Sequence, residues 1–356
     1  MNIDFLSGEE QLAINLKSLY TSYGFSEYRL PAFEDYSFYA ENRGFLTVGD
    51  VVTCNAGGRV TALRPDVTLS VVKNVGKDTG TKKLFYHEKV YRKKAFGGEF
   101  QELAQVGVEV IGDIDEVAEA EVCALIVKTL SAVSGNYALE IAHTGIVLKT
   151  LSAMKLSGKD GEFALSCLTG KNAHDFSLFA KEKGLDKRLS NAFLTLINLP
   201  PEPAAAIAEL RESAAYSGVN LEISELERAL KACGGNVCVN FSACKETAYY
   251  NGVVFKGYIS GAPKAVLSGG RYDKLLGNMG KRFKALGFAL YLGELASCLG
   301  GAAKGADTVV IYGDGTAKNA LAIADGLRAR GKKVLLGREV PADFCGEIVY
   351  AEVKND

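Results

Sequence analysis

Gln105, Gly107 and Glu109 alternate in the stretch AQVGVE, so in a strand they share one face. An amide and a carboxylate on one face, beside aromatic hydroxyls, suit a small ligand with an ammonium group and a ring nitrogen. Other polar residues sit inside strand-like or turn-like stretches and are candidates to join them. They are Asp66 and Thr68 in LRPDVT, Arg92 in VYRKK, Tyr249 and Tyr250 in YYNG, and Arg271 with Asp273 in GGRYD. Each also has a plainer account. Asp66 suits a helix N-cap. Arg64 and Arg271 suit salt bridges at helix turns, and the tyrosines suit core or rim positions. Gly269 and Gly270 suit a tight turn. With neither a P-loop nor a GxGxxG pattern present, the GGR stretch is a weak signal for phosphate.

The elements that must position these residues are legible. SGEEQLAINLKSLYTSYG reads as a capped amphipathic helix, with Ser7 as cap and Gly24 at its end. FSEYRLPAF reads as a strand reaching Pro31, and VVTCNAGGRVTALRPD as a hairpin turning at Gly57 and Gly58. A helix follows from Val67. KKLFYHEKVYRKK and EFQELAQVGVEVIG read as two strands around Phe96, Gly97 and Gly98, each half alternating. DEVAEAEVCALIVKTLSAV is a helix. From Thr144 to about 235 the patterns are helical, broken at Gly158, Gly184 and LPPEP. Strand signals return at NVCVNF, YYNGVVFKGYI and KAVLSGG, and the tail reads strand, helix, strand. The expected architecture is α+β. Residues 1–143 and 236–300 form a discontinuous core, 144–235 a helical insertion, and 301–356 a small α/β C-terminal domain.

Totals narrow the function. A chain of 356 residues is long for one core. Its net charge of −1 speaks against a strong nonspecific nucleic-acid binder. The eight cysteines form no CxxC pair and only three histidines are present, so buried free thiols are expected and no metal site. His143 and His174 read as ordinary surface or core residues, and His87 as structural. No run of 18 apolar residues and no basic-then-apolar leader occurs, so the expected location is a reducing cytoplasm, with no membrane contact.

The order of the motifs raises the specificity. YRKKAFGGEFQELAQVGVEVIG resembles the second class-defining motif of histidyl-tRNA synthetases, and LRPDVT resembles their LRPE-G-T stretch. GFSEYRLPAFED resembles their dimer-forming first motif. YYNGVVF resembles the end of their histidine-specific signature, and LSGGRYDKLLG with GFALYLGEL resembles their last segments. The resemblance covers about residues 1–300 in the family's order. It implies a class II aminoacyl-tRNA synthetase-like antiparallel sheet, six-stranded and flanked by helices, that dimerises. It also implies histidine-binding roles for Asp66, Thr68, Arg92, Gln105, Glu109, Tyr249, Tyr250 and Arg271, with Asp66 one methylene shorter than the family's glutamate.

The departures lie on the ATP side. Glu294 stands where the synthetases end their third motif with an arginine against adenine. Glu99 stands where another arginine meets the terminal phosphate, and Lys245 replaces the arginine that opens the histidine signature. Exchanging a cation for an anion about 4 Å from a phosphate changes the interaction by several kcal/mol, even at an effective dielectric of about 20. The tail from Gly301 has 56 residues with eight basic and eight acidic side chains, a poor RNA binder. These departures resemble a paralogous family, the regulatory subunits of ATP phosphoribosyltransferase in the first step of histidine biosynthesis. That resemblance implies no catalysis and no cofactor. It implies a homodimer within a hetero-oligomer, a short-form catalytic subunit as partner, and histidine as allosteric effector. The ancestral pocket either senses histidine or survives as packing. The alternative is a divergent histidyl-tRNA synthetase-like amino-acid-activating enzyme.

Overall fold

The computed structural model describes residues 6–43, 46, 51–75, 80–93, 99–245, 247, 249–295, 298–299, 306–341 and 344–352. The expected turn at Phe96, Gly97 and Gly98 lies outside them. Packing divides the chain into two units, one of residues 12–299 and one of residues 1–11 with 300–356.

The chain starts with α1 (Gly8–Ser22), β1 (Ser26–Glu27), β2 (Phe33–Asp35), α2 (Tyr36–Glu41), β3 (Thr53–Ala56), β4 (Arg59–Leu63) and α3 (Val67–Asn74). Then come β5 (Lys82–Lys93), β6 (Phe100–Gly112), α4 (Glu116–Val133) and β7 (Tyr137–His143). Helices α5 (Thr144–Ala153), α6 (Gly158–Thr169), α7 (Ala173–Glu182), α8 (Lys187–Asn198), α9 (Pro203–Ser217) and α10 (Ile223–Cys233) follow. The large unit closes with β8 (Val237–Val239), β9 (Val253–Ile259), β10 (Leu267–Arg271), α11 (Asp273–Asn278) and β11 (Lys284–Tyr291).

Among the described residues the main sheet runs β1-β5-β6-β11-β10-β9-β7-β8. The inner six strands are mutually antiparallel. Two short parallel strands, β1 on β5 and β8 on β7, extend the expected six. The sheet is covered on both faces. On one face Val106, Val108, Val110, Phe288 and Leu290 pack with α1 and α4. On the other, Leu84, Tyr86, Val90 and Ala285 pack with α3 and α11. Period-two alternation in β6 therefore separates two cores rather than a core from water. Helices α5 to α10 are stitched to the first core, since Phe176, Phe193 and Leu226 belong to the same buried cluster as Ile141 and Val253.

The expected continuous strand FSEYRLPAF is two short pieces. Between them Pro31 has no N–H to give a ladder, and side chains do the pairing instead. The Leu30 amide donates to Glu88 Oε1 at 3.0 Å, and Arg64 Nη1 donates to the Pro31 carbonyl at 2.9 Å. Arg64, 2% exposed, also donates to the Lys89 carbonyl and to Glu88 Oε2 at 2.7 Å. Next to this, α3 is held at both ends. Asp66 Oδ1 accepts from the Leu69 amide at 2.9 Å, and the buried Lys281 ammonium donates to the carbonyls of Val72 and Val75. A carboxylate at the N-terminus and a cation at the C-terminus both complement the helix dipole.

In the smaller unit, Ser7 and Glu10 form a reciprocal capping box at the start of α1, with the Ser7 amide 2.8 Å from Glu10 Oε2. Its remainder is β12 (Thr308–Ile311), α12 (Ala317–Ala329), β13 (Val334–Gly337) and β14 (Glu347–Tyr350), a parallel sheet in the order β13-β12-β14. The third strand was not anticipated. Its four residues lack strong periodicity, and it pairs with a partner far away in sequence. Among the described residues, no helix is long and apolar enough to cross a membrane.

Arg64→Met removes three carbonyl and carboxylate contacts and strands Glu88. A loss of about 3–5 kcal/mol is expected, read as a lower urea midpoint at unchanged m. A change under about 1 kcal/mol would mean that Pro31 is held by packing alone.

Candidate functional site

Strand β6 carries Gln105, Gly107 and Glu109 on the face toward α3, as their alternation requires. Register then sets what lies across from each. Glu109 faces Gly287 on β11, Gly107 faces Tyr86 on β5, and Gln105 faces Tyr291. A Cβ on Gly287 would lie 1.8 Å from Glu109 Oε2, and one on Gly107 would lie 2.5 Å from the Tyr86 hydroxyl. These glycines are where two large polar side chains lie down across their neighbours.

A pocket of about 100 Å³ opens over this floor. It has room for several waters' worth of ligand. Asp66, Thr68, Arg92, Gln105, Glu109, Tyr249 and Tyr250 line it together with Tyr86, Ser268, Tyr272 and Tyr291. Glu109, 2% exposed, accepts from the Thr68 hydroxyl at 2.7 Å and from the Tyr272 hydroxyl at 2.5 Å. Burial pushes its carboxyl up to about 7, against the two hydrogen bonds that favour the anion. Burial also raises the hydroxyls of Tyr86, Tyr249 and Tyr272 well above the usual tyrosine range, so they stay proton donors. Gln105 is 3% exposed and its Nε2 has no hydrogen-bond partner among the described residues. At the other end, Arg92 Nη2 lies 3.3 Å from Asp66 Oδ2, and its Nε donates to the Pro65 carbonyl at 2.9 Å. Asp66 thus does two jobs: one oxygen caps α3 and the other meets Arg92. The pocket combines a carboxyl poised to ionise, a spare amide donor, a carboxylate–guanidinium pair and aromatic walls. That set is complementary to a small polar ligand with N–H donors of its own.

Arg271 is the exception among the expected residues. It shares the face of Leu267, in the core away from the pocket, while Ser268 and Tyr272 face the ligand side. It pairs instead with Glu225 and Asp273, each at 3.0 Å. The plainer account of Arg271, a structural salt bridge, is the one observed. The pocket residue of the GGRYD stretch is the neighbour, Tyr272. Tyr86, Ser268 and Tyr291 also escaped sequence reading, because their roles depend on which residue each strand places opposite. Alternation of Gly287, Ala289 and Tyr291 in GFALYLGEL was the available signal for one of them. His143 is fully buried and His87 exposed. Outside the pocket, Glu294 lies in a short 3-10 turn (Leu292–Leu295), 3.7 Å from Lys264, and Glu99 and Lys245 are exposed.

The family model for histidyl-tRNA synthetase matches residues 5–295. The chain belongs to the histidyl-tRNA synthetase family. Within that family it is 27% identical over 304 residues to the ATP phosphoribosyltransferase regulatory subunit of Bacillus anthracis, covering 82% of this chain and 72% of the relative. A crystal structure described as an ATP phosphoribosyltransferase regulatory subunit/histidyl-tRNA synthetase from Bacillus halodurans superposes with a TM-score of 0.76 at 22% identity. That match covers 97% of this chain and 94% of the other. A chain of the ATP phosphoribosyl transferase (HisG:HisZ) complex from Thermotoga maritima matches with a TM-score of 0.61 at 20% identity, over 85% of this chain and 100% of that one. The antiparallel sheet with flanking helices is the class II synthetase-like fold of this family.

The buried carboxyl gives a pH signature. Glu109 holds its proton more tightly in the folded chain, at about 7, than at its ordinary value of 4.5. Its contribution is therefore present below pH 4.5 and is lost as pH rises toward 7. Across that window the wild type should lose roughly 3 kcal/mol of stability relative to Glu109→Gln, which has no such titration. Urea unfolding of both proteins at several pH values reads this directly. Parallel curves would show that Glu109 is ionised throughout.

Proposed function

We propose that the chain is a non-catalytic regulatory subunit of ATP phosphoribosyltransferase, acting in the first step of histidine biosynthesis. One observation carries this reading: seven of the residues that the resemblance assigns to histidine line one pocket, while the same resemblance puts acidic residues on the nucleotide side. By the resemblance, Glu99 and Glu294 stand at the positions of the synthetases' ATP-binding arginines, and Glu294 is 3.7 Å from Lys264. Phosphoryl and adenylyl transfer depend on cations placed where charge develops, and carboxylates there oppose a polyphosphate. The regulatory-subunit relative and the fold likeness to a chain of a complete transferase complex support the same assignment.

In this reading the partner is a short-form catalytic subunit, met by a homodimer of this chain within a hetero-oligomer. The pocket takes histidine as effector. The imidazole N–H suits the Glu109 carboxyl, which a donor from the ligand would help to ionise, and the Gln105 amide and the Asp66–Arg92 pair suit the amino and carboxylate ends. Histidine then regulates through a difference in its affinity for two arrangements of the assembly, typically about 1–3 kcal/mol.

The rate of phosphoribosyl-ATP formation by the short catalytic subunit of the same genome should rise when this protein is added, and fall again with histidine. Absence of both effects, with histidine-dependent exchange of pyrophosphate into ATP, would favour the divergent amino-acid-activating enzyme instead. Calorimetric titration of Glu109→Gln should show histidine affinity reduced roughly 10- to 100-fold, the worth of one hydrogen bond to a charged group. Unchanged affinity would place the sensor elsewhere and leave the old pocket as packing.

A further inference from the structure

Behind the pocket, on the opposite face of the sheet, lies a partly buried ionic cluster built on Arg271. Its Nη1 donates to Glu225 Oε1 at 3.0 Å and lies 3.5 Å from Glu119 Oε2, while its Nε donates to Asp273 Oδ2 at 3.0 Å. The other oxygen of Glu225 is 3.0 Å from His143 Nε2. The Ile146 amide donates to His143 Nδ1 at 3.3 Å, so Nδ1 is the acceptor and Nε2 carries the hydrogen that Glu225 receives. His143, Glu222 and Glu225 offer atoms within 4.8 Å of one another, a spacing that would suit a metal. Here those atoms are committed. The imidazole donates to Glu225, Arg271 neutralises Glu225, and Lys149 meets Glu222 at 2.7 Å.

The placement of the cluster is what matters. His143 caps α5, the first of the helices over 144–235, and Glu225 sits in the first turn of α10, the last of them. Both ends of that helical segment are thus tied to one arginine. The next residue, Tyr272, donates to Glu109 in the pocket. A second link runs through YYNG. Tyr249 and Tyr250 line the pocket, while Gly252 lies under Arg271, where a Cβ would come 2.7 Å from Arg271 Cδ and 3.0 Å from Glu225 Oε1. Asp273 adds a third, since its Oδ1 accepts from the Ala285 amide at 2.7 Å on the strand that carries Gly287. The network is also incompletely satisfied. Arg228 Nη2 lies 3.9 Å from Glu119 Oε2, and Glu119 Oε1 and Arg228 Nε are buried atoms with no hydrogen-bond partner among the described residues. A half-satisfied buried network has other arrangements within reach, which a saturated one lacks.

We infer that the Arg271–Glu225–His143 cluster is the joint through which occupancy of the Glu109 pocket repositions the helical segment 144–235. The inference rests on the reading of that pocket as a histidine site, and makes Arg271, Glu225 and His143 positioning residues for its response. Amide hydrogen exchange on the full chain, with and without saturating L-histidine, tests it. In the wild type, histidine should slow exchange several-fold in α3 and β6 and also in the first turns of α5 and α10. In Glu225→Gln, protection of α3 and β6 should remain and the response of α5 and α10 should vanish. Protection confined to α3 and β6 in the wild type, or full transmission in Glu225→Gln, overturns the joint. Protection nowhere sinks the histidine assignment instead, and a ligand-free arm then decides. Tyr272→Phe should by itself speed exchange at the first turns of α5 and α10, with no further change when combined with Glu225→Gln. If Tyr272→Phe leaves those turns untouched, pocket and helices are uncoupled.

Discussion

The arrangement around the pocket depends on one buried carboxyl. Glu109 is buried on the α3 side of the sheet, yet it can lie flat because Gly287 stands opposite it and offers no Cβ. Two hydroxyls, from Thr68 on α3 and Tyr272 after β10, reach it from separate elements. A carboxylate in such a place without partners would cost several kcal/mol. The two hydrogen bonds offset part of that cost, and burial still outweighs them, which is why the acid sits near neutrality. A group balanced in this way responds to a new neighbour. A ligand donor completes the solvation that the protein leaves unfinished.

The positions of α3 and the sheet follow from the same demand. Thr68 reaches Glu109 only if α3 starts where it does, and α3 is set by Asp66 at one end and Lys281 at the other. Asp66 is in turn held by Arg92. Arg64 and Glu88 hold the chain around Pro31 against β5, a task that a ladder of backbone hydrogen bonds would ordinarily perform. Among the described residues, Arg64, Glu109 and Lys281 are each met by more than one partner, while Gln105 Nε2 has none.

The sheet is thin enough for consecutive residues to serve opposite purposes. Tyr272 belongs to the pocket and Arg271 to the ion cluster behind it, because successive side chains of a strand point to opposite faces. Charge is thereby placed on both sides of one strand end. On the pocket side it is the Glu109 carboxyl, with the Asp66–Arg92 pair at the far end of the cavity. On the other it is a cluster of arginine and carboxylates spanning α4, α10 and the start of α5.

Local pattern was enough to determine much of this protein. Alternation in AQVGVE put Gln105 and Glu109 on one face and NAGG marked its hairpin, since each depends on neighbours a few residues apart. The order of the motifs identified the synthetase-like sheet and seven of the residues that meet at the pocket. Tertiary structure alone decided the rest. Whether Asp66 caps a helix or faces the cavity had no local answer, and the fold gives one oxygen to each. Which residue of GGRYD enters the pocket depended on where β10 ends and which face it shows. That Glu109 is buried, and so titrates near neutrality, depended on Gly287 arriving opposite it from 178 positions further along the chain. Register and burial are relations between distant segments, and no window of sequence contains them.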